Sequence, residues 1–213
     1  DPDSFSIIDH TGGLKDLSES KINVIGDPST RFIEDPVRIL RVIRFATKLN
    51  FNISHNTAKS IPEMSPFLAE IPSARLFDEF LKLFFTGNAR NTLEGIINYS
   101  LLDYFLPDLQ AQMMNQSKWS NLIKNACADT DLRIYQGKSV TPAFLLAVML
   151  WPRLSAIINK NPNGRRDPFT TLQSAISEVI AKSNSLMTIP KRFCTSIREI
   201  WEMQYYLEHS KRQ

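Results

Sequence analysis

Two hundred and thirteen residues, 43% of them hydrophobic, suffice to bury a core in one large domain or two small ones, and only seven glycines argue against a sheet-rich fold. No run approaches the roughly eighteen uninterrupted apolar residues of a membrane span, and no basic-then-apolar leader opens the chain, so it reads as soluble and cytoplasmic with no membrane partner. Net charge is +3, but residues 151–213 carry ten Lys/Arg against five Asp/Glu, which makes that third +5 and the remainder −2. Such an asymmetry fits a phosphate-backbone partner, and fits equally a helical surface that binds nothing.

Phe5 to Asp9 and Ile22 to Ile25 are apolar runs of strand length separated by Thr11-Gly12-Gly13, and they read as two strands and a turn. Asp1-Pro2-Asp3 imitates a metal-binding D-x-D but is rejected, because Pro2 would remove a ladder donor in the middle of the strand such a pair needs. Cys127 and Cys194 stand without a C-x-x-C or a histidine cluster and read as reduced packing residues. His10, His55 and His209 are scattered and are assigned no chemistry.

The stretch Arg31 to Ala46 carries the strongest pattern. Asp35 suits an N-cap and Pro36 the first helical position, since the N–H that proline lacks would have had no intrahelical partner there. At 100° per residue Ile39, Val42, Ile43, Ala46 and Leu49 form an apolar stripe, with Glu34, Arg38, Arg41 and Lys48 on an adjacent face and Arg44 further round. Three arginines recur every three residues with no acid inside the helix to pair them. That face suits an anionic or hydrogen-bonding ligand, or is a solvated basic face behind a capped start.

Further along, Ser54 can cap a short helix through Ser60 that stops before Pro62. Leu76, Phe80, Leu83 and Phe84 mark a helix ending near Gly87, with Arg75 and Glu79 an i,i+4 pair. Asn91 to Ser100 reads as a helix with Leu93, Ile96 and Ile97 inward, and Leu101 to Pro107 as an apolar packing segment. Helices are expected around 117–128, 142–150, 168–183 and 190–209, with Thr141 to Trp151 a buried helix. Lys191 and Arg192 follow Pro190 at a helix start, where cations oppose the helix dipole; they mark either an exposed helix start or a site for an outside anion.

The run E-D-P-V-R-I-L-R-V-I-R-F-A-x-K-L-N-F, Glu34 to Phe51, resembles the neck-helix motif of the class II nucleotidyltransferases, the bacterial poly(A) polymerases and CCA-adding enzymes. Gly12, Gly13, Asp16 and Leu17 resemble the closing segment of that family's catalytic head, and Ile71-Pro72 followed by Arg75 and Glu79 its motif beyond the neck. Thr130 to Ile134, Thr141 to Ala147, Met149 to Trp151 and Ile189 to Phe193 resemble the body of the poly(A) polymerases in particular.

The resemblance implies a mainly α fold: a small β remnant of the nucleotidyltransferase head over 1–30, a neck over 31–110 and a helical body over 111–213. It implies Asp35, Arg38, Arg41 and Arg44 as ATP contacts, with Glu34, Arg75 and Glu79 supporting them. Lys191 and Arg192, together with Arg165 and Arg166, are the residues expected on RNA. The implied activity is addition of AMP from ATP to RNA 3′ ends, with Mg2+ in the parent enzyme. The family's G-S-x-x-R loop and metal-binding D-x-D are not found in this sequence, so the chain is expected to be a fragment without most of the head and inactive alone. Two alternatives stand beside this: a CCA-adding activity on transfer RNA, and a helical RNA-binding module without catalysis.

Overall fold

A computed structural model describes residues 7–160 and 168–210. Asp1-Pro2-Asp3, Arg165 and Arg166 therefore lie outside the described residues. The chain forms two compact units, Asp1–Glu70 and Ile71–Gln213, and the boundary falls inside the stretch expected as one neck. The fold is mainly α with one two-stranded sheet among the described residues, as expected.

In the first unit, Asp9 accepts from the backbone N–H groups of Thr11, Gly13 and Leu14 and starts α1, Gly13–Ser18. Strand β1, Lys21–Ile22, is followed by α2, Pro28–Glu34, and α3, Val37–Leu49. Strand β2, Asn52–Ile53, then leads into α4, His55–Met64, and a 3₁₀ turn over Ser65–Glu70. The strand expectations are corrected here. Residues 7–9 are not strand, Ile25 is exposed, and β1 pairs in parallel with β2, in register Lys21 to Asn52 and Ile22 to Ile53, across the whole of α2 and α3. Strands of two residues have no periodicity for a sequence pattern to show.

Helix α2 was not expected, yet its start is conventional: Pro28 stands at the first position and the Asp27 carboxylate accepts from the Thr30 N–H at 2.8 Å. Helix α3 begins at Val37 with Pro36 in the cap position, one residue past the expected start. Asp35 is extended (φ −151, ψ 94), Pro36 is α-helical in its dihedrals, and the first turn closes with Arg38 N to Asp35 O at 3.0 Å. Asn50 ends it in the left-handed region (φ 54), with Phe51 N donating back to Ala46 O. The apolar stripe is wider than expected at its start, where Val37 and Leu40 are buried, and shorter at its end, where Leu49 is exposed. Pro62 lies inside α4 instead of stopping it.

The second unit is built from α5, Ser73–Phe84, α6, Ala89–Asn98, a 3₁₀ turn at Leu102–Tyr104, α7, Leu109–Asn115, and α8, Ser117–Tyr135. It is completed by α9, Pro142–Lys160, α10, Pro168–Leu186, and α11, Lys191–Ser210. Gly87 stops α5 region as expected, at φ 84 with the Ile134 side chain 3.5 Å from where a Cβ would stand. Phe80, Phe84 and Phe105 form one aromatic centre, and Leu101, Leu102 and Leu106 pack fully buried beside it in sequence as the expected packing segment.

Helix α9 is the spine of the other half. Among the described residues it is the one helix long and apolar enough to cross a bilayer, which the sequence reading did not expect, but it is half buried within the protein and packed by α8, α10 and α11. It runs ten residues past its expected end at 150 because Trp151, Pro152 and Leu154 are all buried. Pro152 cannot donate to the Val148 carbonyl, and the burial of its neighbours outweighs that missing bond. Trp201 of α11 lies against α9, with its indole N–H donating to Ala147 O at 2.9 Å.

Candidate functional site

The exposed face of α3 is the first candidate. Arg38, Arg41, Arg44, Phe45 and Lys48 share the arc left open by the buried stripe, so Arg44 belongs with the other cations and does not stand apart. Arg38 is half-buried and held from the preceding helix: the Glu34 carboxylate accepts from Arg38 Nη1 at 3.1 Å and from Arg31 Nη1 at 2.8 Å. Arg38 Nη1 also donates to Arg31 O at 3.3 Å. These groups are all about a third or more exposed, so each pair contributes only about 0.2–1 kcal/mol to stability, and its effect is mainly to aim the guanidinium.

Arg41 and Lys48 make no ion pair with any described residue, and Arg44 stacks its guanidinium 4.9 Å over the Phe45 ring. Asp35 is half-buried at the hinge between α2 and α3, four residues or fewer from Arg31, Glu34 and Arg38 in the chain. The structure thus brings Glu34, Asp35, Arg38, Arg41 and Arg44 onto one short region of the first unit. Arg31 and Phe45 were missed. Arg31-x-x-Glu34 and Glu34-x-x-x-Arg38 have helical pair spacing, but Pro36 between them conceals that α2 and α3 follow each other closely enough for the pairs to form.

Arg75 and Glu79 belong to the second unit, on α5. Glu79 is 5% exposed and its carboxylate accepts from Lys82 Nζ at 2.7 Å, so a buried acid is tied to a half-exposed cation one turn on. Lys191 and Arg192 are exposed on the first turn of α11. Phe193 and Cys194 donate to Pro190 O, Arg192 lies 4.7 Å over the Phe193 ring, and that ring meets Phe77 at 6.1 Å. Pro190 has no side-chain group to cap the Lys191 and Arg192 N–H groups.

A D-x-D spelling not weighed in the sequence analysis occurs at Asp129-Thr130-Asp131, but it is not the metal-binding pair. It lies within α8, where alternate residues point about 200° apart, so the two carboxylates do not converge. Asp131 is already in use: it accepts from Ala89 N at 2.6 Å and Arg90 N at 3.0 Å and caps α6. Among the described residues no group of three His, Cys, Asp or Glu could hold a metal ion, so they do not fit the magnesium pair that the resemblance implies. Cys127 is buried and its thiol is pushed up to about 12 by burial first and the Asp131 carboxylate second, which makes it a packing residue and a poor nucleophile.

Two family descriptions match the chain: "Probable RNA and SrmB- binding site of polymerase A" over residues 50–113, and "Polymerase A arginine-rich C-terminus" over residues 164–213. Poly(A) polymerase I of Salmonella typhimurium is 38% identical over 212 residues, covering 98% of this chain, while the chain spans 45% of that relative's length. The CCA-adding enzyme of Bacillus licheniformis is 46% identical over 89 residues, 42% of this chain and 22% of that enzyme. A solved tRNA nucleotidyltransferase, complexed with a primer tRNA and an incoming ATP analog, is 20% identical over 95% of this chain and 67% of its own, at a TM-score of 0.48, too partial a likeness to bear on function. The chain belongs to the nucleotidyltransferase family of the bacterial poly(A) polymerases and CCA-adding enzymes.

Proposed function

We propose that this chain is the nucleotide- and RNA-recognising part of a template-independent polynucleotide adenylyltransferase. The observation that carries the reading is the open face of α3, where Arg38 is aimed by Glu34, and Arg41, Arg44 and Lys48 have no carboxylate among the described residues to neutralise them. An arginine fork can donate to a ring nitrogen or to phosphate oxygens, and a carboxylate such as Asp35 can accept from the adenine amino group. Together they select ATP by its base edge without a template strand, a discrimination of about 1–3 kcal/mol for each good bidentate contact. In the reaction the RNA 3′ oxygen forms a bond to the α-phosphorus, the bond to the β-phosphate oxygen breaks, pyrophosphate leaves and the hydroxyl proton is released. Magnesium would stabilise the attacking and leaving oxygens when bound; the described residues of this chain bind, orient and select instead.

The RNA strand meets the second unit, and Lys191 and Arg192 are the exposed cations at the start of α11 that support this. Arg165 and Arg166, outside the described residues, belong to the same basic third of the sequence. The segment 46% identical to a CCA-adding enzyme supports a second reading, in which CTP and ATP are added to transfer RNA.

Primer extension on a short RNA, with each nucleoside triphosphate separately, decides between them when this chain is compared with a form extended upstream. Long tails of A made by the extended form alone are expected. Three additions of CTP then ATP would move the protein to the CCA-adding branch, and no extension by either form would leave an RNA-binding module. In the active form Arg38→Ala is expected to lower both rate and nucleotide preference, whereas Lys191→Ala mainly weakens RNA binding and its salt dependence. An unchanged ATP preference in Arg38→Ala would remove that residue from the site.

A further inference from the structure

Two cavities of about 700 Å³ each lie along α8 in the second unit, and Asp129 and Phe144 line both, so they form one groove with a waist at those two residues. The two ends differ in chemistry. One side of the waist is lined by Trp119, with Lys118 Nζ 4.2 Å over its ring, by Tyr205, by the amides of Asn125, Asn159 and Gln204, and by the Glu208 carboxylate. On the other side stand Arg133 and Lys138. The cationic end is built by the close of α8: Gly137 turns left-handed (φ 66), and Lys138 N returns to Arg133 O at 2.8 Å. The Arg133 guanidinium is fixed by Nε and Nη2 donating to Ser139 O at 3.2 and 3.0 Å, which leaves Nη1 to donate elsewhere.

At the waist, Phe144 is 42% exposed, although its neighbours Ala143, Leu145, Leu146 and Ala147 on α9 are buried. Asp129, unlike its neighbour Asp131, makes no hydrogen bond or ion pair with any described residue. The groove therefore presents aromatic faces with amides, edged by Lys118 and Glu208, an acceptor-only carboxylate at the waist, and Arg133 and Lys138 beyond it. A nucleotide unit of single-stranded RNA has the matching sequence of groups: a base to stack and to hydrogen-bond by its edge, a ribose 2′-hydroxyl to donate, and a phosphate.

We infer that the groove along α8 and α9 holds a nucleotide of the RNA strand, its base against Trp119 and Phe144, its 2′-hydroxyl donating to Asp129 and its phosphate on Arg133 and Lys138. The inference rests on the RNA-binding reading above and locates it on a surface distinct from Lys191 and Arg192 in sequence. An amphipathic protein helix fits less well, because the floor of the aromatic end is interrupted by Asn125, Asn159 and Gln204 and the far end is cationic.

The test is equilibrium binding of a labelled oligoadenylate RNA, and of the DNA of the same sequence, to the full chain at several salt concentrations. Phe144→Ala is expected to weaken RNA binding by about tenfold, as base–aromatic stacking requires, while Phe144→Tyr keeps it. Asp129→Ala is expected to abolish the preference for RNA over DNA without weakening DNA binding. Lys138→Ala should weaken both polymers and reduce the salt slope by about one. Thermal unfolding of each variant checks that the fold is intact. If the unaltered chain binds RNA while Phe144→Ala and Asp129→Ala behave like it, the groove assignment is overturned and the RNA-binding reading stands. If the unaltered chain binds no RNA, both fall.

Discussion

Charge is handled in opposite ways at the helix junctions of the second unit and on α3 of the first. In the second, the cations of the helical core edges have partners: Arg153 and Lys182 both reach Asp108, at 3.4 and 3.9 Å, and Arg198 donates to Gln173, which in turn donates to Glu202. These links tie α7, α9, α10 and α11 to one another. In the first unit α3 carries four cations on one open face, and among the described residues only Arg38 of the four is paired to a carboxylate. Like charges on one helix face repel, at some cost to stability. The comparison teaches that cations bridging helices are explained by the fold, whereas the open cations of α3 are the ones on which the proposed nucleotide site rests.

Five measurements break or sharpen that contrast. The largest effect is expected from Trp201→Ala, which removes a side chain 1% exposed and its bond to Ala147, for about 3–5 kcal/mol. All three tryptophans, Trp119, Trp151 and Trp201, are in the second unit, so urea unfolding followed by fluorescence reports that unit alone. Asp131→Ala removes the cap of α6 and is expected to cost about 1–2 kcal/mol in the same assay. A cost near zero would show that Asp131 does not hold the start of α6.

Glu34→Gln is expected to leave the unfolding midpoint nearly unchanged, because its pairs are exposed, yet to lower ATP selection in the active form by about fivefold, or ~1 kcal/mol. The reverse result, lost stability with intact selection, would make Glu34 a structural residue and erase the difference between the units.

Two pH responses separate the units further. Burial raises the Cys127 thiol from 9.0 to about 12, and an unfolded thiol ionises first, so the second unit should lose stability as pH rises through that window, an effect that Cys127→Ala removes. The smallest effect lies in the first unit. Asp27 is held below its ordinary value by the Thr30 N–H and then by the Thr30 hydroxyl. Its cap is therefore present above the usual carboxylate range and lost as pH falls through the lowered value. Hydrogen exchange at the Thr30 amide should accelerate, relative to the intrinsic rate, on that acid side, and Asp27→Ala should show the faster exchange at every pH.

What was legible in the sequence was local. Asp35-Pro36 before a 3.6-residue apolar period announces the start of α3, and Leu76, Phe80, Leu83 and Phe84 followed by Gly87 announce α5 and its end, because caps, turns and amphipathic faces depend on neighbours a few residues away. The basic character of α3 was legible for the same reason. Pro62 misled, since a proline's cost is local but its tolerance is tertiary: it stays inside α4, just as Pro152, which the sequence analysis did not weigh, stays inside α9 among buried neighbours.

The sequence by itself determined that this chain is helical, which helix carries the arginines, and which family's motifs it bears, because each of these is written in residues adjacent along the chain. Only the tertiary structure decided that β1 pairs with β2, that Glu34 holds Arg38 across Pro36, and that Asp131 is spent on a cap while Asp129 faces an open groove. Those outcomes depend on packing between segments tens of residues apart, or on a chain turn whose geometry a local pattern does not encode.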